Sequence, residues 1–224
     1  YNHASQGGGV FKSGALGESE FTQVRIYHCG AASAGGGIYA SGPLKLRFSN
    51  GQIDQNQAFS GAGVVSVNRM EFPIRKSLFQ SNMASGGGGA ILNSDRAVLD
   101  AKYVTFSGNR VTVSTGNGAG MINGENATAR LMNVLFIGNQ SYRGSAVWGD
   151  DASTTVFVNV TVSGNRSTAP EAGAVMARDG SVLKVHNSII WKNSGGVSPT
   201  GSNTIEYKHS LVQGATTDDS DGNI

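Results

Sequence analysis

Three small residues followed by an apolar one recur seven times along this chain of 224 residues. The small residues are Gly, Ala or Ser, and the apolar residues of consecutive copies lie 26 to 30 positions apart. The copies occupy residues 7–10, 35–38, 61–64, 88–91, 118–121, 144–147 and 172–175. A pattern that returns in phase at this period is typical of a solenoid, in which each repeat buries its apolar face against the next.

A second pattern, an apolar residue followed three positions later by Asn, has the same period. Phe79, Phe106 and Phe136 each precede an Asn in this way, and Cys29 takes the Asn place in an early copy. Stacked copies of one amide side chain can hydrogen-bond to each other and to the local backbone. We therefore predict an inward-facing ladder of six side chains. Its members are Asn56, Asn82, Asn109, Asn139, Asn165 and Asn193.

The residues between these positions favour strands over helices. Short runs such as residues 156–162 are rich in β-branched and aromatic residues and are bounded by Gly and Asn. Long segments with apolar residues at helical spacing are absent from the sequence. The sequence thus predicts an all-β fold, a right-handed, single-stranded parallel β-helix of about eight coils with 26 to 30 residues each. We interpret residues 1–224 as one domain, taken from a longer chain.

A column of large apolar residues directly follows the repeated apolar position. Its members are Phe11, Tyr39, Val65, Leu92, Ile122, Trp148 and Met176. Neighbouring residues of a strand point to opposite faces, so one of the two columns is expected to face outward or to lie beneath a flanking segment. Exposed apolar surface often marks a binding site, which makes Phe11, Tyr39 and Trp148 the candidate binding residues. The alternative is that the strand bends, or another segment covers the column, so that both columns are buried.

Acidic residues recur four positions after the repeated apolar residue. They are Asp95, Glu125, Asp151 and Asp179, and Asp150 precedes one of them. Stacked carboxylates could bind calcium or act as the acid pair of a polysaccharide-cleaving enzyme. Gly and Asn occupy the same position in other copies, and Gly, Asn and Asp together are typical of turns. We favour turns and predict no catalytic residue and no cofactor.

Three oxygen-bearing residues near the end of the sequence are candidate calcium ligands. Asp219, Asp221 and Asn223 are closely spaced around Gly222, as in calcium loops, but the later Glu of the EF-hand pattern is missing. We favour a solvated turn here too, and predict no metal site. The net charge of +2 and the absence of a basic cluster argue against nucleic acid as a partner. With no apolar run near 18 residues, we also predict that this segment does not insert into a membrane.

The repeated motifs resemble those of two groups of bacterial surface proteins. Gly-Gly-Ala-Ile at residues 88–91, combined with the apolar-x-x-Asn copies, resembles the repeats of polymorphic outer-membrane proteins of the chlamydial type. The segment Asn187-Ser-Ile-Ile-Trp-Lys-Asn193 and the end Asp221-Gly-Asn-Ile224 are similar to the last coils of large secreted β-helix proteins of Bacteroidota-type bacteria. The resemblance covers nearly the whole chain. It implies a β-helix that is secreted or displayed on the bacterial cell surface, with further domains in the parent chain.

Three functions are compatible with these features. A surface adhesin or structural stalk, binding a protein or a glycan along a lengthwise face, fits the regular coils and the lack of an acid, base or nucleophile that departs from the repeat. A carbohydrate-active enzyme would need a groove walled by long loops, whereas the coil lengths vary by only four residues. A phage or capsule-binding fibre module would share the fold. We favour the adhesin.

Overall fold

The computed structural model describes residues 2–170 and 172–214, and in this part of the chain every regular element is a strand. All strand pairs are parallel, and each strand pairs with its counterpart one turn of the chain earlier or later. One turn, here called a coil, adds a strand to sheet 1, then a strand to sheet 2, then two strands or one long strand to sheet 3. Coils 1 to 7 begin with successive strands of sheet 1.

The strands of the three sheets have the following bounds. Sheet 1 contains Asn2–Gln6, Cys29–Ala34, Gln57–Ser60, Met83–Gly87, Arg110–Val111, Gln140–Ser141 and Arg166–Ser167. Sheet 2 contains Val10–Ser13, Ile38–Ser41, Val64–Val67, Ile91–Asn93, Met121–Asn123, Val147–Gly149, Val175–Arg178 and Val197–Thr200. Sheet 3 contains Glu18–Thr22, Arg25–Tyr27, Lys45–Ser49, Gln52–Asp54, Glu71–Gln80, Val98–Ser107, Thr128–Met132, Leu135–Ile137, Thr154–Val158, Thr161–Ser163, Val182–His186, Ile189–Trp191, Thr204–Lys208 and Leu211–Val212. The predicted parallel β-helix is confirmed, with about seven turns and the strands of an eighth coil.

The core runs along the axis of the β-helix and is built from repeated positions. The apolar residue that follows each small-residue run points inward, and its copies pair in register, as Val64 does with Ile38 and Ile91. Phe106 stacks on Phe79 with ring centroids 5.1 Å apart and on Phe136 at 4.6 Å. Like residues therefore meet because one coil repeats the positions of the last. Burial of these rings supplies a large part of the hydrophobic stabilisation.

Left-handed backbone conformations make the bends between strands. Each bend inside sheet 3 has one residue with positive φ, and in coils 5, 6 and 7 it is Asn133, Asn159 and Asn187. Asn adopts this conformation more readily than most residues with a Cβ, which explains why it recurs there. A second residue with positive φ directly precedes each Asn of the ladder, for example Gly108 before Asn109. The chain thus turns at a fixed place in every coil.

The predicted asparagine ladder is present at the corner between sheets 3 and 1. Nδ2 of Asn109 donates to Oδ1 of Asn139 at 2.9 Å and to the carbonyl of Phe79 at 3.0 Å, and this arrangement repeats along the coils. The backbone N–H of each Asn also donates to Oδ1 of the next, as Asn139 does to Asn165 at 3.0 Å. The members up to Asn165 are buried, and Asn193 is half-buried.

The ladder ends differently on its two sides. In coil 2 the backbone N–H of Cys29 donates to Oδ1 of Asn56 at 3.0 Å, while its Sγ lies 3.3 Å from the carbonyl of Tyr27. Cys29 is buried, and burial raises the pKa of its thiol. At the other end Oε1 of Gln213 accepts from the N–H of Asn193 at 3.0 Å, so a longer amide replaces the next Asn.

A shorter polar ladder lies inside the corner between sheets 2 and 3. Asn93 and Asn123 pair in register and are both fully buried. Nδ2 of Asn93 donates to Oδ1 of Asn123 at 2.8 Å, and Nδ2 of Asn123 donates to Oγ1 of Thr155 at 3.0 Å. This second ladder is absent from the sequence-based prediction.

The small-residue runs are required by close backbone contacts between coils. A Cβ placed on Gly36 would lie 2.4 Å from the carbonyl oxygen of Gln57 and 2.6 Å from that of Ala62. Because both contacts are to backbone, we expect Gly36→Ala to lower the free energy of unfolding by about 1–3 kcal/mol, as overpacking does in other cores. Thermal or urea unfolding measures the change.

Gly14 provides the matched control for this substitution. A Cβ at Gly14 meets nothing within 4 Å. Gly14→Ala should leave stability unchanged or raise it by about 0.4–1 kcal/mol, because Ala restricts the unfolded chain. Equal destabilisation by the two variants would contradict the packing explanation for the small-residue runs.

Candidate binding face

The outer face of sheet 2 carries the apolar column that follows the repeated core position. In each strand the core residue points inward and its neighbour outward, as Val10 and Phe11 do. The rings of Phe11 and Tyr39 stack in register, with centroids 5.4 Å apart and planes 4° from parallel. Phe11 is 56% exposed and Tyr39 is half-buried. Farther along the column Leu92 and Ile122 are half-buried and Val65 is buried, so Phe11 is its most exposed member. The binding role of Phe11 and Tyr39 stays a prediction.

Trp148 belongs to the same column but is buried, with only 4% of its surface exposed. Ala169 and Ala172, in coil 7 between its strands in sheets 1 and 2, pack against the ring together with Met176. Nε1 of Trp148 donates to Oδ2 of Asp150 at 3.1 Å. The interpretation of Trp148 as an exposed aromatic platform is therefore wrong, because a segment of the next coil covers it.

A length difference in the sequence marks this covering segment. Ten positions separate Asn165 from the next core residue, Val175, whereas eight separate Asn139 from Val147. The two extra residues allow the chain to pass over sheet 2 before it joins the sheet. The spacing alone does not predict the cover, because the longest one, 12 positions from Asn109 to Met121, accompanies a half-buried Leu92.

The recurring acidic residues occupy tight turns between sheets 2 and 3. Asp95 and Arg96 both have positive φ, as do Glu125 and Asn126, which is the conformation of a type I′ turn. Asp, Asn and Gly are the residues that such turns favour. The turn interpretation of this column is thus confirmed by the backbone.

One of these corners gathers three carboxylates. Oxygen atoms of Asp150, Asp151 and Asp179 lie within 4.8 Å of one another. Arg178 neutralises part of this charge, since its Nε lies 3.3 Å from Asp150 and donates to Asp179 at 2.7 Å. Burial raises the pKa of Asp150, against the opposing effects of the Trp148 hydrogen bond and of Arg178. Arg178 thus pairs with two of the three carboxylates, Asp150 and Asp179. Asp219, Asp221 and Asn223 lie outside the described residues.

A groove of about 510 Å³ follows the outer face of sheet 3 from coil 2 to coil 6. Its walls carry five basic side chains and two acidic ones, Glu71 and Asp100. The basic residues are Lys45, Arg47, Arg75, Lys102 and Arg130. Apolar side chains including Pro73 and Val156 lie between them. The groove thus carries an excess of three positive charges, in a chain of net charge +2.

Most charges on this face are paired from one coil to the next. Arg47 contacts Glu18 of the preceding coil, and Lys45 lies 3.0 Å from Glu71 of the following one. Farther along the same face Glu206 is held by Lys208 of its own strand and by Lys184 of the preceding coil, and these two cations lower its pKa to about 2. Such pairs across parallel strands fix register more than they add stability, since exposed ion pairs contribute about 0–1 kcal/mol.

Two cations in the middle of the groove are exceptions. Lys102 in coil 4 and Arg130 in coil 5 have no ion pair or side-chain hydrogen bond among residues 2–170 and 172–214. Asp100, the nearest acid in register with Arg130, is bound by Arg75 at 2.6 Å. No motif in the sequence marks this face, because its residues come from strands that are about 28 positions apart.

Comparison with known proteins identifies the family. A family model described as "Right handed beta helix region" matches residues 62–217, which is more than half of the chain. Searches of curated proteins and of solved structures gave no significant match. Among the described residues there is no helix long and apolar enough to cross a membrane.

Proposed function

This chain belongs to the right-handed β-helix family, and we propose that it is an adhesin-type binding module, displayed outside a bacterial cell, that holds an extended ligand in the groove of sheet 3. The observation that supports this proposal is the groove itself, a lengthwise concave face that is five coils long and has an excess of positive charge. The strand spacing of about 4.8 Å makes it roughly 19 Å long. An extended polymer lying along the axis would meet the same face of each coil.

The groove replaces the sheet 2 column as the proposed binding face. On sheet 2 only Phe11 of the column is exposed, at one end, and Tyr39, Leu92 and Ile122 are half-buried, whereas the lining of the groove runs from coil 2 to coil 6. Binding is favoured over catalysis because both acids of the groove are engaged: Glu71 with Lys45 and Asp100 with Arg75. The resemblance to surface β-helix proteins supports display outside the cell.

Blocking the groove with a bulky polymer tests this function. Met132 lies in the groove and is 36% exposed, so Met132→Cys can be labelled there with a polyethylene-glycol maleimide. Cys29 should react slowly, because it is buried and its thiol pKa is raised. We expect the unlabelled protein to bind ligands on an array of bacterial and host polysaccharides and surface proteins. Labelling at position 132 should abolish that binding.

The control carries the same label on another face. Met83 of sheet 1 is 38% exposed, so Met83→Cys offers a site of similar accessibility. Labelling there should leave binding unchanged. Loss of binding from position 83 but not from 132 would place the site elsewhere, and absence of binding to every member of the array would end the proposal. Release of soluble fragments from an immobilised polysaccharide would instead support an enzyme.

A further inference from the structure

An apolar face lies on the second half of sheet 3, beyond the bend that separates it from the groove. In each three-residue strand there the middle residue is buried and its two neighbours point outward, as Leu135 and Ile137 do on either side of Phe136. We call the outward residues of coils 5 to 8 the apolar face. Its members are Leu135, Ile137, Thr161, Ser163, Ile189, Trp191 and Leu211.

The apolar face is accessible and almost free of charge. Its three most exposed members are between 42% and 46% exposed, and they are Ile137, Trp191 and Ile189. The segments that form the face and its edges are residues 133–138, 159–164, 187–192 and 209–213. Their only ionisable side chains are those of Lys192 and His209, both at the edge. Exposed apolar surface of this kind typically binds another protein surface.

Large and small side chains alternate on this face from coil to coil. In one column Ile137 of coil 5 is in register with Ser163 of coil 6, and Ser163 with Trp191 of coil 7. The neighbouring column has the same order and ends with a further large residue in coil 8; its members are Leu135, Thr161, Ile189 and Leu211. Coil 6 therefore forms a valley between the ridges of coils 5 and 7, each about 4.8 Å away.

We propose that the apolar face binds a second copy of this chain, with the two β-helix axes antiparallel. A twofold axis that runs parallel to the strands, midway between coils 6 and 7, places coil 7 of each copy opposite coil 6 of the other. Trp191 then enters the valley at Ser163 of the other copy, and Ile189 enters it at Thr161. Coil 5 of each copy meets coil 8 of the other at the two ends of the contact.

A second copy is the partner whose shape and charge fit this face. Ridges interdigitate only if they have the same spacing on both surfaces, and a spacing of about 4.8 Å is that of strands stacked coil on coil. The antiparallel arrangement also sets Lys192 opposite Gly164 and His209 opposite Asn133, so no like charges meet. A parallel pair would instead set ridge against ridge and valley against valley.

The size of the face determines how tightly the two copies bind. Four coils and strands of three residues give an area of about 19 Å by about 10 Å. Stable complexes bury about 800 Å² on each partner, so this contact belongs to the weak class. We therefore expect a dissociation constant of about 0.1 mM.

Sedimentation equilibrium at concentrations up to about 1 mM tests the proposal. We expect the mean mass of the wild-type chain to rise from the monomer value of 23.1 kDa toward twice that value. Trp191→Ser removes the ridge and should weaken pairing about tenfold, as the loss of a buried aromatic does at other interfaces. Ser163→Trp fills the valley and should weaken pairing as much. The double variant exchanges ridge and valley, so it should pair about as well as the wild type.

Tyr27→Ser is the control, because Tyr27 is 51% exposed and occupies the column of Trp191 in coil 1, outside the proposed contact. This variant should pair like the wild type, and every variant should melt near the wild-type temperature in dilute solution. A wild-type chain that stays monomeric, or equal pairing by all the variants, would overturn the proposal. A double variant that pairs no better than the two single ones would do so as well, because only the antiparallel register brings positions 163 and 191 together.

Discussion

Asn139→Leu is expected to cause a large loss of stability. Asn139 accepts from the N–H and Nδ2 of Asn109, and donates to Asn165 and to the carbonyl of Phe106, at 2.9 to 3.0 Å. Leu would remove all four of these buried side-chain hydrogen bonds, while its backbone N–H could still donate to Asn165. At about 1 kcal/mol for each lost bond, the free energy of unfolding should fall by about 4 kcal/mol. Urea unfolding followed by circular dichroism measures the loss.

Gln57→Leu serves as the control for this experiment. Gln57 carries an exposed amide on the outer face of sheet 1, directly after Asn56 of the ladder. The same chemical change there should alter stability by no more than about 0.5 kcal/mol, as at other surface positions. If both variants unfold at the same urea concentration, the ladder does not contribute as argued.

Trp148→Ala is expected to lower the free energy of unfolding by about 3–5 kcal/mol, as large truncations do in other cores. The substitution would leave a cavity beneath Ala169 and Ala172 and remove the hydrogen bond to Asp150. It would also remove the ring over which the guanidinium of Arg178 lies, 5.3 Å from its centroid. Differential scanning calorimetry should show the change as a lower melting temperature.

Trp191→Ala is the matched control, because the chain has only two tryptophans and Trp191 is 43% exposed. Its removal should cost less than about 1 kcal/mol. A fold-neutral Trp148→Ala that weakened ligand binding would restore the exposed column of sheet 2 as a binding face, and would contradict the packing described for Ala169 and Ala172.

The features that the sequence predicts are those in which every coil repeats the same residue type. Asn109 and Asn139 could be assigned to one ladder because a coil with a different residue there would break the hydrogen-bond chain on both sides. The small-residue runs can be recognised equally well, since the side chain of a larger residue would collide with the backbone of a neighbouring coil. A position that accepts only one type of residue is therefore occupied by that type in nearly every coil, and the repeat can be recognised in the sequence.

The second ladder and the groove leave no repeated pattern in the sequence, because different residue types can occupy the same position in successive coils. The strand position of Asn93 and Asn123 in the second ladder is Ser66 in the coil before them and Gly149 in the coil after them. The groove depends on which charges find partners, and that is decided by side chains in neighbouring coils rather than by any local motif. In the sequence Lys102 resembles any surface lysine, and its lack of an ion pair can be seen only when the positions of the two neighbouring coils are known.

The coil-to-coil pairing of all three sheets also determines how the molecule would respond to force. The hydrogen bonds of a β-helix run along its axis, so tension between its ends would load them in line and open them one coil at a time, as a zipper opens. Each released coil of about 28 residues would lengthen the chain by roughly 90 Å, given about 3.3–3.6 Å per extended residue and the 4.8 Å it spanned when folded. A module that anchors a cell under flow would thus yield in small steps and act as an extensible tether.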